Sequence, residues 1–291
     1  KGQAMTEASS ISVAFVGSGG AGVLTTGGML LEAACAAGWS GLLTRSVGPQ
    51  IRGGEAASLI RLSSRTVECH SDRFDLLIAV DWSNAHRFDL EIPLGPASLV
   101  ISDPQGGPVP RFVTAAGARV IEVPMREMAR VNIGWRPNMI ALGAAGRLLH
   151  FPQGALERVI DKRFGEKGAA IVATNLDAVQ AGATAVAAFE MPARLPAPSP
   201  GTAKRWLITG NEATGLGAVR GGVRFVAAYP ITPASEILEW LAPNLPKVGG
   251  ALLQAEDEIA AINMIIGGSY GGVPALTATS GPAYDVGYGY N

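Results

Sequence analysis

Three acidic residues, Glu256, Asp257 and Glu258, stand immediately before an apolar segment that runs from Ile259 to Ile266. Apolar residues occupy nearly every position of this segment, which predicts a helix buried on all sides. A carboxylate at the head of a buried helix could face a heterocycle and share a proton with a ring nitrogen. The alternative is that these acids are solvated and only favour the first helical turn through the helix dipole.

A second segment that could do chemistry is Tyr-Pro-Ile-Thr-Pro, from Tyr229 to Pro233. Pro230 ends a short β-prone run, because proline cannot continue a strand ladder. The pattern then predicts Thr232 as the N-cap of a helix and Pro233 as its first residue, where the missing N–H costs nothing. Taken by itself, this segment favours plain helix capping over a functional role.

A glycine-rich loop, "GSGGAG", follows the first predicted strand and places Gly17, Gly19 and Gly22 in the G-x-G-x-x-G spacing. This spacing lets a helix N-terminus face a phosphate group. A nicotinamide-binding unit would also carry an acidic residue about 20 residues further on. Arg45 lies in that region instead. The sequence therefore favours a different ligand, or a purely structural tight turn, over NAD.

The next loop places Arg52 directly before the pair Gly53 and Gly54. The two glycines let the main chain approach a ligand closely, and an arginine guanidinium can hold a carboxylate or phosphate with two hydrogen bonds. A hairpin with a solvated arginine explains the same residues. Both interpretations remain open at this point.

The elements that must position these residues follow an α/β pattern. Strand candidates alternate with a helix over 22–38 and with helical segments between 138 and 189, and the apolar strands indicate a sheet covered on both faces. A proline-rich segment over 191–203 predicts a semi-rigid linker. We therefore expect a first domain over 11–190 and the opening part of a second α/β domain over 204–291.

Composition restricts the classes of function. In 291 residues, 48% are hydrophobic and 16% charged, so most of the chain is expected to pack into cores. The net charge of -1 argues against nucleic-acid and membrane partners. The two cysteines, Cys35 and Cys69, are isolated, which predicts no metal site in this chain and favours a cytoplasmic location.

Taken together, the glycine loop, the Arg52 loop, the proline-rich linker, "YPITP", the acidic helix start and "TATSGP" resemble the 2-oxoacid:ferredoxin oxidoreductases. The resemblance is strongest to the alpha subunit of the 2-oxoglutarate type. It implies a gamma-type α/β domain with a mixed sheet over 11–190. It also implies that 204–291 is the first, incomplete part of a transketolase-like domain that binds the pyrimidine of thiamine diphosphate.

The resemblance implies oxidative decarboxylation of 2-oxoglutarate with coenzyme A, giving succinyl-CoA, carbon dioxide and two low-potential electrons. Glu258 would hydrogen-bond the thiamine pyrimidine, with Glu256 as the alternative. Thr232 would contact the 2-oxoacid together with Tyr229, Pro230 and Ile231 in the same motif. The gamma-type domain would help to hold coenzyme A through Arg52, Gly53 and Gly54, and the Gly17–Gly22 loop is a further candidate for cofactor binding.

The same resemblance implies a beta subunit that carries Mg²⁺, the diphosphate half of the cofactor and a [4Fe–4S] cluster, in an (alpha-beta)₂ heterotetramer. Electrons would leave to ferredoxin or to an NAD-linked electron-transfer subunit. The two cysteines are too few for the cluster, in agreement with a partner that supplies it. Pyruvate, branched-chain or aryl 2-oxoacids are alternative substrates. A non-catalytic nucleotide-binding module and a purely structural subunit are the alternatives outside catalysis.

Overall fold

The computed structural model describes residues 6–48, 53–198 and 206–281, and the chain divides into two compact units, 1–204 and 205–291. In the first unit the strands are β1 (Thr6–Glu7), β2 (Ser10–Ser18), β3 (Ser40–Val47), β4 (Glu55–Ser63), β5 (Leu76–Ala79), β6 (Leu99–Ser102), β7 (Arg119–Glu122) and β8 (Ala193–Arg194). Its helices are α1 (Val23–Ala37), α2 (Arg111–Ala115), α3 (Met125–Val131), α4 (Pro137–Leu148), α5 (Ala155–Phe164) and α6 (Ala169–Ala185).

Six strands of the first unit form one mixed sheet in the order β3-β4-β2-β5-β6-β7. Strand β2 pairs in parallel with β5, which continues in parallel through β6 to β7, whereas β4 runs antiparallel to both β2 and β3. The expected mixed sheet is confirmed.

Both faces of this sheet are covered, as the apolar strands predict. Alternate residues of β2 point to opposite sides, so that Val13 and Phe15 pack with α1, α4, α5 and α6. Ala14 and Val16 pack instead with Trp82, Phe88 and other residues of the connections on the opposite face. The result is a sheet between two apolar layers, which leaves its strand ends as the places where polar groups converge.

Helices α4 and α6 cross at unusually short range. A Cβ atom at Gly143 would overlap the main chain of Val179, and one at Gly182 would overlap the main chain of Ile140. Glycine is therefore required at both positions for the helices to approach. The close crossing fixes the N-terminal end of α4, which contributes to the cleft described below.

The proline-rich segment begins as part of the first unit. Met191 and Leu195 are buried in its core, β8 pairs in parallel with β1, and Trp39 donates its indole N–H to the carbonyl oxygen of Pro196 at 2.9 Å. These contacts hold 191–196 against the first unit, so this part of the predicted linker is ordered by packing rather than by proline alone.

The second unit contains α7 (Gly210–Arg220), β9 (Phe225–Ala228), α8 (Ser235–Asn244), β10 (Ala251–Gln254), α9 (Glu258–Tyr270) and β11 (Ala275–Leu276). Its three strands form a parallel sheet in the order β10-β9-β11. Val226 and Ala228 of the central strand pack against Leu238, Leu241 and Leu245 to form a small core.

The prediction that α9 is buried on all sides is wrong for the described part of the unit. Ala261 is its only buried residue there, whereas Ile259 is 42% and Ile266 59% exposed. The helix packs on β9 and β11 along one side, and a three-stranded sheet cannot cover the rest of an apolar surface that surrounds the helix.

No helix in the described residues is long and apolar enough to cross a membrane.

Candidate functional site

The three motifs of the second unit meet at one edge of its sheet. Strands β9, β10 and β11 are parallel, so their carboxyl ends lie on the same side. Tyr229–Pro233 follows β9, Glu256–Glu258 follows β10, and Thr277–Ser280 follows β11. Open α/β sheets bind ligands at the carboxyl ends of their strands. The topology therefore gathers the sequence-predicted residues where a ligand would be held.

Thr232 is not a helix cap, contrary to the sequence prediction. Helix α8 begins at Ser235 with Ala234 as its N-cap, and the Ser235 N–H is bound by the carbonyl oxygen of Ile231 at 2.9 Å. A separate turn over 231–235 therefore precedes the helix and supplies the main-chain acceptor that a threonine hydroxyl would otherwise provide. The Thr232–Pro233 peptide bond within this turn is cis.

Freed from capping, Thr232 presents its side chain at the sheet edge. It is exposed, and its hydroxyl has no hydrogen-bond partner in the part of the chain that the structure describes. Pro230 is also exposed and Tyr229 is 39% exposed, whereas Ile231 is half-buried. The hydroxyl of Thr232 is thus available to a ligand.

The three acids after β10 have distinct positions. Asp257 is the N-cap of α9, and its side chain accepts a hydrogen bond from the Ala260 N–H at 2.7 Å. Glu258 is the first helical residue and half-buried, while Glu256 precedes the cap and is exposed. Neither glutamate has an ion pair among residues 206–281. Because Asp257 satisfies the helix end, both glutamates remain available to a ligand.

One buried polar atom at this edge fits a polar ligand. The Thr279 hydroxyl oxygen, after β11, is shielded from solvent and has no partner among the described residues. An unsatisfied buried hydroxyl is unfavourable by about 1–3 kcal/mol. A heterocyclic cofactor with ring nitrogens and an amino group suits an edge that offers carboxylates and hydroxyls together.

In the first unit, the two predicted glycine loops lie against each other. The Gly19 N–H donates to the carbonyl oxygen of Gly54. Gly22, at φ 80°, is the N-cap of α1, and a Cβ atom there would lie 2.7 Å from the side chain of Asn138. Gly17 is the last residue but one of β2, and Gly53 has φ 74° with open space around it. Arg52 lies outside the described residues.

A buried carboxylate fixes the start of the glycine loop. One oxygen of Asp81 accepts from the Ser18 N–H at 2.9 Å and from the Ser18 hydroxyl at 2.8 Å. The same oxygen is 3.0 Å from the Arg126 guanidinium, which also donates to the carbonyl oxygen of Val80 at 3.1 Å. The Asp81 side chain is 1% exposed and that of Arg126 is 38% exposed. Arg126 is thereby held rigidly at the loop.

Beside this network lies a cleft of about 790 Å³, lined by Ser18, Gly20, Gly22, the first turn of α4 and the first two turns of α6. Three cationic side chains line it: Arg126, Arg136 and Lys167. Arg136 and Lys167 have no carboxylate partner in the described ranges, and no carboxylate lines the cleft. The N-termini of α1 and α4 carry no side-chain cap. Cations and free helix N-termini together favour an anionic ligand.

The strand order does not match a nicotinamide-binding unit, in agreement with the sequence argument. Such a unit places its second strand in parallel beside the first. Here β2 lies between the antiparallel β4 and the parallel β5. Arg45 is on β3, which β4 separates from β2. β3 holds no acidic residue and is not adjacent to β2, so it offers no ribose ligand beside the glycine loop.

Sequence reasoning missed Asp81, Arg126, Arg136 and Lys167. Asp81 could have been found from the sequence, because it follows the buried strand β5. Ligands often bind at the carboxyl ends of parallel strands, and β5 is the parallel neighbour of β2, which leads into the glycine loop. The three cations are far apart in sequence and lie in first turns or connections, so only the packing of α3, α4 and α6 brings them together.

Comparison with known proteins identifies the chain at this point. Residues 12–185 match the family model of pyruvate ferredoxin/flavodoxin oxidoreductase, and residues 216–284 match that of its thiamine diphosphate-binding region. The chain belongs to the pyruvate ferredoxin/flavodoxin oxidoreductase family. The resemblance inferred from the motifs is confirmed.

A solved structure of 2-oxoglutarate:ferredoxin oxidoreductase from Magnetococcus marinus, with 2-oxoglutarate, coenzyme A and succinyl-CoA bound, is similar to 96% of the chain. It is 33% identical, with a TM-score of 0.84, and the match covers 49% of that chain.

Curated relatives match shorter stretches. The 2-oxoglutarate synthase subunit KorA of Methanocaldococcus jannaschii is 54% identical over 77 residues, which are 26% of this chain and 21% of that protein. Subunit alpha of 2-oxoacid:ferredoxin oxidoreductase 1 of Aeropyrum pernix is 35% identical over 155 residues, 50% of this chain and 24% of that protein. The chain thus spans about a quarter or less of these relatives. Both relatives are named as subunits.

Proposed function

We propose that the chain is the alpha subunit of a 2-oxoacid:acceptor oxidoreductase that converts 2-oxoglutarate and coenzyme A to succinyl-CoA and carbon dioxide. The observation that carries the proposal is the convergence of Thr232, the Glu256–Glu258 segment and the Thr277–Ser280 segment at the carboxyl edge of one parallel sheet. The similarity to a structure that holds 2-oxoglutarate, coenzyme A and succinyl-CoA supports the choice of substrates.

Residues at this edge have distinct tasks in the proposal. Thiamine diphosphate, when bound, supplies the nucleophilic carbon and the electron sink that decarboxylation of a 2-oxoacid requires. Glu258 holds a proton between its carboxylate and a nitrogen of the pyrimidine ring, and Glu256 is the alternative partner. The half-buried position of Glu258 favours it, because a carboxylate shielded from water binds a ring nitrogen more strongly.

Thr232 donates its hydroxyl hydrogen to the 2-oxoacid, with Tyr229, Pro230 and Ile231 forming the adjacent wall. The free hydroxyl and the nearby N-terminus of α8 suit an anionic substrate, since a helix N-terminus stabilises negative charge. Both groups are in place before the substrate arrives, which lowers the entropy cost of binding.

The first unit takes part in holding coenzyme A. The cleft carries three cations and two uncapped helix N-termini, a combination that suits the phosphate groups of this substrate. Gly22 lines the cleft, Gly17 and Gly19 let the loop pack closely beside it, and Gly53 and Gly54 adjoin Gly19. Arg52, next to Gly53 in sequence, is a further candidate contact.

Partner subunits supply the metal ion, the iron–sulfur cluster and the electron acceptor in this proposal. We infer a beta subunit with Mg²⁺ and a [4Fe–4S] cluster, an (alpha-beta)₂ assembly, and ferredoxin or an NAD-linked subunit as acceptor in the cytoplasm. The two cysteines of the 291 residues support this division, because a [4Fe–4S] cluster needs four thiolates.

The test is to purify the complex that contains this chain and to measure reduction of a viologen dye with coenzyme A and each of several 2-oxoacids. The proposal expects an iron–sulfur subunit to co-purify and 2-oxoglutarate to give the highest kcat/KM. A preference for pyruvate, a branched-chain or an aryl 2-oxoacid would correct the substrate. No reduction with any 2-oxoacid would overturn the proposal.

A further inference from the structure

The side-chain amide of Asn211 contacts the segment that carries Thr232. Asn211 is the second residue of α7, and its Nδ2 donates to the carbonyl oxygen of Pro233 at 3.2 Å. The same nitrogen is 2.9 Å from a carboxylate oxygen of Glu236. Pro233 directly follows Thr232, and Glu236 is in the first turn of α8. One side chain of α7 thus contacts both the middle of the turn and the first turn of α8.

The first turn of α7 is itself fixed by a capping box. The Thr209 hydroxyl accepts from the Glu212 N–H at 3.1 Å, and the Thr209 N–H donates to the Glu212 carboxylate at 2.7 Å. The Thr209 and Glu212 N–H groups at this helix end are therefore both satisfied by side chains. Asn211 lies between the two partners of the box, so its main chain has a defined position.

Helices α7 and α8 are also held together one turn further along. A Cβ atom at Gly215 would lie 2.6 Å from the indole ring of Trp240, so only glycine allows this packing. The contact sets the distance between the two helices independently of Asn211. Because both helices are fixed, the amide of Asn211 determines where the turn sits between them.

The turn has few other connections. Among residues 206–281, the bond from Asn211 is the only side-chain hydrogen bond to any residue of 229–234. The other bonds to 229–234 join main-chain groups, among them those from the Ser235 N–H to the Ile231 carbonyl oxygen and from the Glu236 N–H to the same Pro233 carbonyl oxygen at 3.4 Å. Thr232 and Pro233 are both exposed, so packing alone does not hold them.

We propose that Asn211 is a positioning residue that orients the Thr232 hydroxyl toward the 2-oxoacid. This rests on the proposed function, in which Thr232 binds that substrate. Asn211 acts through the Pro233 carbonyl and does not itself contact the substrate. Holding the donor in place before binding strengthens the interaction with the substrate, because no reorganisation is needed when it arrives.

The decisive variant is Asn211→Asp in the assembled complex. It keeps the size of the side chain but replaces the donor with a carboxylate that repels both the Pro233 carbonyl oxygen and Glu236. We expect the KM for 2-oxoglutarate to rise about tenfold, the value of one lost hydrogen bond of 1.4 kcal/mol. The KM for coenzyme A should stay within about twofold, well below that tenfold change.

Two further variants separate positioning from stability. Thr214→Val, in the same helix, removes a hydroxyl whose one hydrogen bond within 206–281 goes to the Gly210 carbonyl oxygen, and it should leave both KM values unchanged. In Asn211→Asp combined with Glu236→Gln, the amide and the carboxylate exchange sides, so the contact with α8 returns. This double variant should regain part of the affinity for 2-oxoglutarate.

The outcomes decide between the two proposals. An Asn211→Asp complex with an unchanged KM for 2-oxoglutarate overturns the positioning role, and so does an equal rise of both KM values with a lowered unfolding midpoint. If the unmodified complex oxidises no 2-oxoacid, the proposed function fails before Asn211 is tested. If it prefers another 2-oxoacid, the same measurements are made with that substrate.

Discussion

Ser18 and Asp81 are joined by two hydrogen bonds to a single carboxylate oxygen, from the main-chain N–H at 2.9 Å and from the hydroxyl at 2.8 Å. Arg126 reaches the same oxygen at 3.0 Å. The end of β2, the end of β5 and the start of α3 therefore share one buried anion. The glycine loop begins at this point, so its conformation depends on the charge of Asp81.

Replacing Asp81 with Asn should destabilise the first unit. The amide can offer only one oxygen, so either the Ser18 and Arg126 contacts or the 3.1 Å bond from the Ser83 N–H is lost. Because the Asp81 carboxylate is buried but the Arg126 guanidinium is partly exposed, losing these contacts should lower the free energy of unfolding by about 1–3 kcal/mol. Chemical denaturation measures the change. Glu127→Gln, which breaks an exposed pair with Arg130, is the control and should leave the midpoint almost unchanged.

Gly22 and Gly20 provide a matched test of the glycine loop. Both have positive φ, 80° and 98°, so an alanine at either position is strained by about 1 kcal/mol. A Cβ atom at Gly22 would also lie 2.7 Å from the Asn138 side chain, whereas one at Gly20 meets nothing within 4 Å. Gly22→Ala should therefore lower the thermal midpoint clearly more than Gly20→Ala. Equal midpoints would contradict the close packing of the loop on α4.

Removing the unpaired cations of the cleft should weaken binding of coenzyme A. In Arg136→Gln and Lys167→Gln, the cleft loses positive charge that no carboxylate neutralises in the described residues. We expect the KM for coenzyme A to rise by about fivefold to tenfold per charge, with a smaller effect at high salt. The KM for 2-oxoglutarate should not change. Arg130→Gln, outside the cleft, is the control, and equal effects of all three variants would refute the assignment.

Asp75 gives the first unit a pH-dependent stability. Burial raises the pKa of its carboxyl above 3.8, more than the hydrogen bond from Ser12 and the charges of Arg73 and Arg61 lower it. The folded state therefore binds more protons than the unfolded state between 3.8 and the raised pKa. The free energy of unfolding should fall as pH rises through this window.

Asp75→Asn tests this prediction. An asparagine keeps an oxygen for the Ser12 N–H, which is 2.8 Å from the present carboxylate, and has no proton to bind. The free energy of unfolding of the Asp75→Asn variant, relative to that of the unmodified protein, should increase as pH rises above 3.8 and then level off. Urea denaturation over a pH series measures it, with the exposed Asp72→Asn as control. A difference that does not vary with pH would refute the prediction.

Much of the fold follows from local pattern, as β2 and α1 illustrate. The continuous apolar run of β2, which is buried on both faces, and the glycine that precedes α1 are both visible in the sequence. The start of α8 was not predictable in this way. Thr232 and Pro233 fit a capping pattern, yet the main chain forms a turn first, and the Ile231 carbonyl takes the role expected of the threonine.

The exposure of α9 could not be predicted either. An apolar sequence shows which residues of a helix can be buried, but it does not show how much of the helix the neighbouring elements cover. Ile266 illustrates this, at 59% exposed. The residues of the second-unit site were accessible to sequence reasoning because each follows a strand. The proximity of the cations in the cleft and the bond from Asn211 to Pro233 both depend on how helices pack. Such packing leaves no local pattern in the sequence.

The central claim is that the sheet edge of the second unit is the site of 2-oxoacid oxidation. Its most direct test is 2-oxoglutarate-dependent and coenzyme A-dependent viologen reduction by complexes that carry Glu258→Gln or Glu256→Gln. Because loss of a positioned proton-sharing group lowers rates by about 100-fold or more, Glu258→Gln should abolish most activity, while Glu256→Gln stays within a few-fold of the unmodified complex. Near-normal activity of an intact Glu258→Gln complex would contradict the assignment of Glu258, and near-normal activity of both variants would contradict the site.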